Sequence, residues 1–249
     1  MYWLFLMLGL LIAPSQALLR SVRVKITSHV DFRSASSRFS TRSDTVPGSL
    51  IICGPSGAGK GTIIDKLMKN SPDKYSLSVS HTTRKPRTGE VDGKHYHFVS
   101  KEQMEADIAL DETNKDKEGY KFKFLEHAVV HTNLYGTSVA SVKDIHSQGK
   151  TAILDVDERG VTRIYEMNIL PCAEYIFIVP PSLAILEQRL KDRGTETAEE
   201  VALRLHNAEK CMLFGQQMGQ SIFDFTLKND DLDRAVKELE IQIEKWKQE

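Results

Sequence analysis

The sequence predicts an α/β protein in which a parallel sheet core carries helices on both faces. Two observations point to it. Short β-branched runs alternate with helical patterns from residue 49 to the C-terminus. The first of those runs opens into a glycine-rich turn and then directly into a helix. Composition permits this: 249 residues, 41% hydrophobic and 27% charged, supply a core and exclude the disordered, collagenous and disulfide-framework classes.

In chain order, Ser49–Cys53 is an apolar β-branched strand, and residues 62–69 place Ile63, Ile64, Leu67 and Met68 on one helical face before Pro72. Residues 77–80 read as a second strand. Ser100-Lys101-Glu102-Gln103 resembles a capping box, with a helix to follow. Residues 107–121, rich in Asp, Glu, Lys, Asn and Thr, read as a solvated loop or an extension of that helix. A helical run over 137–146 is closed by Gly149, and strands follow at 151–156 and 175–179. Thr197-Ala198-Glu199-Glu200 is a second capping box, and 222–227 reads as the last strand. The final helix shows Leu232, Ala235, Val236, Leu239, Ile243 and Trp246 at one-face spacing, capped by Asp230 or Asp231. There is no internal repeat or coiled-coil run.

Net charge is −1, from 33 Lys plus Arg against 34 Asp plus Glu. The average gives no reason to expect nucleic-acid or membrane-surface binding, but it hides two unlike parts. Residues 1–43 hold six basic side chains and one acid, a sum of +5, which leaves −6 for 44–249. Residues 1–17 are signal-like: an apolar run from Tyr2 to Ala13, Pro14, then Ser15-Gln16-Ala17 as a small-x-small site. The run is short for a membrane span. Residues 18–43 are Arg- and Ser-rich and acid-poor, as transit peptides are. Together they predict an organelle-targeting leader, with plastid ahead of mitochondrion. An uncleaved anchor and a mispredicted start codon stay open as readings. Cys53, Cys172 and Cys211 are scattered and odd in number, so neither a metal site nor a disulfide is expected, and Cys53 and Cys172 read as small buried hydrophobes.

The chemistry begins at the first turn. Strand 49–53 is followed by Gly54, Pro55, Ser56, Gly57, Ala58, Gly59, Lys60, Gly61 and Thr62, the strand–GxxxxGK–helix context of a phosphate loop. Glycines let successive N–H groups turn toward phosphate oxygens, and the lysine reaches the β/γ-phosphates. The hydroxyl that commonly follows the lysine to meet Mg²⁺ is absent: Gly61 stands there and the hydroxyl comes at Thr62. Asp155 and Asp157, at the carboxyl end of the 151–156 strand, are the carboxylates available for the metal, with a helix cap or surface charge as the plainer reading, and Asp155 and Thr62 are the metal candidates, each through water.

A phosphate loop alone indicates only a nucleotide. Residues 80–90 add Arg84 and Arg87 around Pro86, two guanidiniums suited to a phosphate dianion. At this point the chain resembles guanylate kinase over residues 48–247. The matching blocks are 54–60, 78–90 with Gly93-Lys94-His95-Tyr96, Leu134-Tyr135-Gly136-Thr137, 153–157, Pro180-Pro181-Ser182, Arg193-Gly194-Thr195-Glu196-Thr197 and Asn229-Asp230-Asp231-Leu232-Asp233.

The resemblance implies a P-loop nucleoside-monophosphate-kinase fold: core 48–76 and 149–185, a GMP-binding region 77–136, a lid near 189–210, and a C-terminal strand and helix in 221–248, all within a domain of 44–249. It implies ATP on residues 54–62 with Asn229 near the adenine, and GMP phosphate on Arg84, Arg87, Tyr96 and Tyr135. Guanine would be read by Glu126 with Ser80 and Thr137, and Asp155 and Asp157 complete the GMP-side set. A carboxylate suits guanine, whose N1–H and 2-amino group are adjacent donors, and rejects adenine, which lacks them. Lys60, Arg189, Arg193 and Arg204 would stabilise the phosphoryl group in flight, with Mg²⁺ as cofactor.

The implied protein acts on ATP and GMP as a monomer, without nucleic acid and without stable membrane association once mature. Three departures accompany the match. Gly61 replaces a hydroxyl residue, residues 101–123 are longer than the usual connection, and Arg159 stands where a glutamine is typical. A kinase with another monophosphate preference, and a non-catalytic module holding a phosphopeptide in the same cleft, remain as alternatives.

Overall fold

The computed structural model describes residues 48–130, 132–170, 172–192 and 197–248. Residues 1–43, read above as a targeting leader, and Arg193 lie outside the described residues. The strands are β1 (Ser49–Cys53), β2 (Tyr75–Leu77), β3 (His81–Thr82), β4 (His97–Phe98), β5 (Phe124–Val130), β6 (Asn133–Ser138), β7 (Thr151–Asp155), β8 (Ala173–Val179) and β9 (Phe225–Lys228). The helices are α1 (Lys60–Asn70), α2 (Lys101–Asn114), α3 (Val139–Ser147), α4 (Glu158–Met167), α5 (Leu183–Asp192), α6 (Ala198–Ile222) and α7 (Leu232–Trp246).

Among the described residues, five strands form a wholly parallel sheet in the order β2-β7-β1-β8-β9. Its central strand shows why. Leu50 and Ile52 pack with Ile63, Ile64 and Leu67 of α1 and with Val236, Leu239 and Trp246 of α7. Ile51 and Cys53, pointing the other way, pack with Val142 of α3, Val161 and Ile164 of α4 and Cys211 of α6. A strand covered on both faces reads as a near-continuous apolar run, as residues 50–53 do, while buried Ser49 at its start shares a hydrogen bond with His146. Full burial of each such side chain stabilises by about 1.5–3 kcal/mol.

A second sheet, in the order β4-β3-β6-β5, is mixed: β3 runs parallel to β4, and β6 is antiparallel to both neighbours. Helix α2 covers it through Met104 and Ile108 against Phe124 and Leu134.

Several expected boundaries move. The strand expected at 77–80 divides, because after Ser78 N–H donates to Ile153 O at 2.8 Å the chain leaves the parallel sheet and enters β3. At 222–227, Ile222 is the last residue of α6, whose cap Phe223 donates its N–H to Gly219 O, and the strand starts at Phe225. The 137–146 helix starts at Val139, since Ser138 Oγ accepts from Ser141 N–H as the N-cap and Thr137 stays in β6. Within 107–121, α2 continues to Asn114 and Asp111 is fully buried rather than solvated. Its carboxylate accepts from Tyr120 Oη and from the N–H groups of Lys123 and Phe124. Cys172 is half-buried, not a core residue. Asp231, not Asp230, caps α7.

Candidate functional site

The phosphate loop joins β1 to α1 at the carboxyl edge of the parallel sheet. Gly54 has φ 147° and lies so close to β8 that a Cβ would collide with Ile178 O. Gly59 (φ 92°) is the N-cap of α1 and brings no side-chain acceptor, so the first-turn N–H groups stay available to an anion. Beneath the loop, buried Asn229 donates through Nδ2 to Ala58 O at 2.7 Å, and its own N–H bonds Val179 O. Arg189 Nη2 donates to Asn229 O at 3.0 Å and Nη1 to Ala58 O at 3.5 Å. Both side chains expected on ATP therefore hold the underside of the loop: the Arg189 fork rests on backbone carbonyls, and the Asn229 amide on one.

Lys60 Nζ donates to Gly54 O at 2.7 Å and lies 3.8 Å from Asp155 Oδ1. Burial pushes the Asp155 carboxyl above its ordinary value, and the neighbouring ammonium partly offsets this. Across the gap, Arg204 of α6 donates from Nη1 to Ser56 Oγ at 2.8 Å. The cleft so formed, about 590 Å³, is lined by Gly54, Ser56, Lys60, Asp155, Asp157 and Arg204 together with unanticipated residues of α6, Leu203 and Asn207. Asp157 spends one oxygen on the N–H of Gly160 at 2.8 Å, as the N-cap of α4, so the plainer of its two readings holds for that oxygen. Thr62 is exposed on α1 and is not among the cleft residues. Among the described residues no three His, Cys, Asp or Glu side chains gather as a metal cluster.

The second sheet carries the other group. Tyr135 pairs with Thr82 and Thr137 with Glu126 across neighbouring strands. Thr137 Oγ1 donates to Glu126 Oε1 at 2.7 Å. Glu126 is 8% exposed, and burial pushes its carboxyl above the ordinary value against the pull of that hydrogen bond. The Arg84 guanidinium lies over the Tyr96 ring at 5.3 Å, and the Tyr96 and Tyr135 rings are 5.9 Å apart. Ser80 sits on the connection into β3, its carbonyl accepting from His97 N–H at 2.9 Å. Arg87 is exposed.

Sequence reasoning missed Glu90, which takes both arms of the Arg84 fork at 2.8 Å each. Arg84, with the Arg87 amide, holds the Glu90 carboxyl down to about 2. A bidentate carboxylate fixes the plane of the guanidinium, leaving a phosphate to approach the remaining donors. The signal was its place six residues after Arg84 in the same turn.

A phosphate loop at a parallel sheet edge, a second small sheet with an arginine–tyrosine cluster and a buried carboxylate, and an arginine-bearing helix over the cleft define a P-loop protein of the nucleoside-monophosphate-kinase class. The guanylate kinase family model matches residues 47–246. Guanylate kinase 1 of Arabidopsis thaliana is 47% identical over 190 residues, 76% of this chain and 45% of the plant protein. Guanylate kinase of Sus scrofa is 43% identical over 189 residues, covering 76% and 88%. The crystal structure of guanylate kinase from Anaplasma phagocytophilum superposes with a TM-score of 0.55 over 82% of this chain and 88% of that one, at 24% identity, and shows the shared fold. The chain belongs to the guanylate kinase family. It spans somewhat under half the length of the plant relatives it matches.

Proposed function

We propose that this protein transfers the γ-phosphoryl group of ATP to GMP, giving ADP and GDP. The observation that carries the reading is a buried carboxylate, Glu126, held by Thr137 on the small sheet while an intact phosphate loop occupies the large one. ATP phosphates would take the N–H groups of residues 54–61, with Lys60 and Arg204 on the β/γ end and Arg193 joining from the lid. The GMP phosphate would take Arg84, Arg87, Tyr96 and Tyr135, and guanine would take Glu126, Thr137 and Ser80. Bound in line, the two substrates need no covalent intermediate on the protein, and the cations stabilise charge spreading over the transferred oxygens. Arg189 and Asn229 contribute by fixing the loop.

Asp155 would hold Mg²⁺ beside the phosphates. Its oxygen donor and cleft position suit that hard cation, which would neutralise phosphate charge. The missing hydroxyl yields a test. Gly61 is exposed in the first turn of α1, and a Cβ there would meet nothing within 4 Å. Gly61→Ser is therefore expected to raise unfolding stability by about 0.5 kcal/mol through helix propensity, read from urea melts, and to lower the Mg²⁺ concentration giving half-maximal turnover. A destabilised variant would show that the position is constrained after all.

The reaction is tested by a coupled ADP-release assay with GMP, AMP, CMP and UMP. GMP is expected to be turned over fastest; faster AMP or UMP turnover would move the assignment to another monophosphate. No turnover of any would favour the binding-module alternative, against which the intact residues 54–60 and Arg204 stand. The enzyme would act as a monomer on these small molecules, without nucleic acid or stable membrane association. Its +5 leader supports plastid import ahead of mitochondrial import. A fluorescent fusion of residues 1–43 that stays in the cytosol would end that reading.

A further inference from the structure

What lies against the Glu126 side chain bears on guanine recognition, and the role assigned to it rests on the reading of Glu126 as the guanine reader. Helix α4 packs on β5, and its first turn reaches both parts of the site. Asp157, the N-cap, lines the phosphate cleft and accepts from the Gly160 N–H at 2.8 Å. Gly160 itself is buried. A Cβ on it would lie 3.1 Å from Val156 Cβ, 3.2 Å from Glu126 Cγ and 3.4 Å from Asp157 Oδ1. The last is an ordinary contact. The first two fall inside the optimum of roughly 3.5–4.0 Å between carbon atoms, so a neighbour would have to give by a few tenths of an ångström.

Which neighbour gives follows from how each is held. Val156 is buried in the core cluster with Leu154 and Val161, and the crowded atom is its branch point, one bond from the backbone. The helix cannot back away as a body. Val161 and Ile164 are fully buried in that cluster, and one turn beyond Gly160 the Arg163 Nη1 donates to Glu112 Oε1 at 2.6 Å, tying α4 to α2. Of the crowded atoms, only Glu126 Cγ lies within a side chain that turns about several bonds. That side chain is held at its far end, where Oε1 accepts from Thr137 Oγ1 at 2.7 Å. Pushing Cγ aside therefore swings the carboxylate or breaks its bond to Thr137.

We infer that Gly160 is a positioning residue for guanine recognition: its missing side chain leaves the space in which the Glu126 carboxylate takes its reading position, and any side chain there displaces the reader. Gly160 acts through Glu126 alone and holds no part of either nucleotide. Glycine is a poor choice for the third position of a helix on local grounds, since alanine is the better helix former. At this position the local preference gives way to the room that the reader needs.

The test is Gly160→Ala, made in the full-length protein and again in a Glu126→Ala background that has no Cγ to displace, with steady-state kinetics for GMP and ATP and thermal melts. In the parent, Gly160→Ala is expected to lower kcat/KM for GMP about tenfold, part of the roughly 10²-fold that a 1 Å misplacement costs. The loss should fall on KM for GMP, with KM for ATP within about twofold and Tm within about 4 °C of the parent. In the Glu126→Ala background the same substitution is expected to change kcat/KM for GMP by less than about twofold, because the pair is coupled through the contact that has been removed. An equal loss in both backgrounds, a loss confined to kcat, or unchanged GMP kinetics in the single variant overturns the proposal. If Gly160→Ala does not fold in the parent, the double variant decides: a folded one locates the clash at the Glu126 side chain, and an unfolded one locates it at Val156 and overturns the proposal. Glu126→Ala with unchanged GMP kinetics would instead overturn the reader assignment itself, whereas a GMP defect there with equal Gly160→Ala losses in both backgrounds sinks only the role of Gly160.

Discussion

Lys60→Met is expected to lower kcat by about three orders of magnitude while GMP affinity stays within a factor of about two. The ammonium is fixed by the Gly54 carbonyl at 2.7 Å and faces Asp155 at 3.8 Å, with 16% of the side chain exposed. In the proposed complex this cation, held at the phosphate-loop end of the cleft, would meet the transferred group with little reorganisation. Positioned donors of this kind contribute about 10²–10³ in rate, and 10³ corresponds to about 4 kcal/mol of barrier. Methionine keeps the stem's apolar volume and loses only the charge and its carbonyl contact, a stability cost of about 1 kcal/mol that a domain of ordinary stability tolerates. The small sheet, on which GMP is proposed to bind, is untouched, which is why GMP affinity should persist. Single-turnover phosphoryl transfer and calorimetric titration with GMP check the two halves. Turnover within tenfold of the parent would show that Lys60 does not meet the transferred group.

The parallel sheet was legible because β1, β7 and β8 are covered on both faces, leaving apolar runs visible in the order of residues. The small sheet was not. Its β3 and β4 are two residues each, and β5 and β6 carry Glu126, His127, Asn133, Tyr135 and Thr137, so polar positions break the apolar run that marks a strand. Helix α4 escaped for a related reason: its buried face is only Gly160, Val161 and Ile164, and most of the rest is charged or polar.

In the cleft, spacing located the phosphate loop and with it Lys60, Ser56 and Asp155. Which way a side chain turns was beyond it. Arg189 and Asn229 read as ATP-side residues, and spacing gave no sign that both side chains also hydrogen-bond the Ala58 carbonyl of the loop. Asp111 read as solvated because its neighbours are polar. Its burial depends on N–H groups at 123 and 124 that only the folded chain brings back to it.

Glu126→Gln tests the other half of the site and is expected to cut kcat/KM for GMP by about 10²-fold, with KM for ATP unchanged. Guanine offers two adjacent donors, N1–H and the 2-amino group, and an ionised carboxylate accepts both. The amide keeps one oxygen and turns an NH₂ group toward a donor, leaving a buried polar mismatch of the kind that discriminates strongly between substrates. Thr137 donates to Oε1 at 2.7 Å, so the rotamer is held and the amide cannot relax freely. The same burial fixes the pH dependence. Burial raises the Glu126 carboxyl, so protonation begins at a higher pH than for an exposed glutamate, and guanine recognition should fail earlier as pH falls. The sign for stability is the reverse. An acid whose folded value is raised takes up protons more readily in the folded state, so acidification through that range favours folding at this residue even as it weakens GMP binding. The parent should therefore show KM for GMP climbing on the acid side without an equal fall in the contribution of Glu126 to stability, while Glu126→Gln should show neither effect. Parallel GMP profiles in the two proteins would mean that another group reads the base.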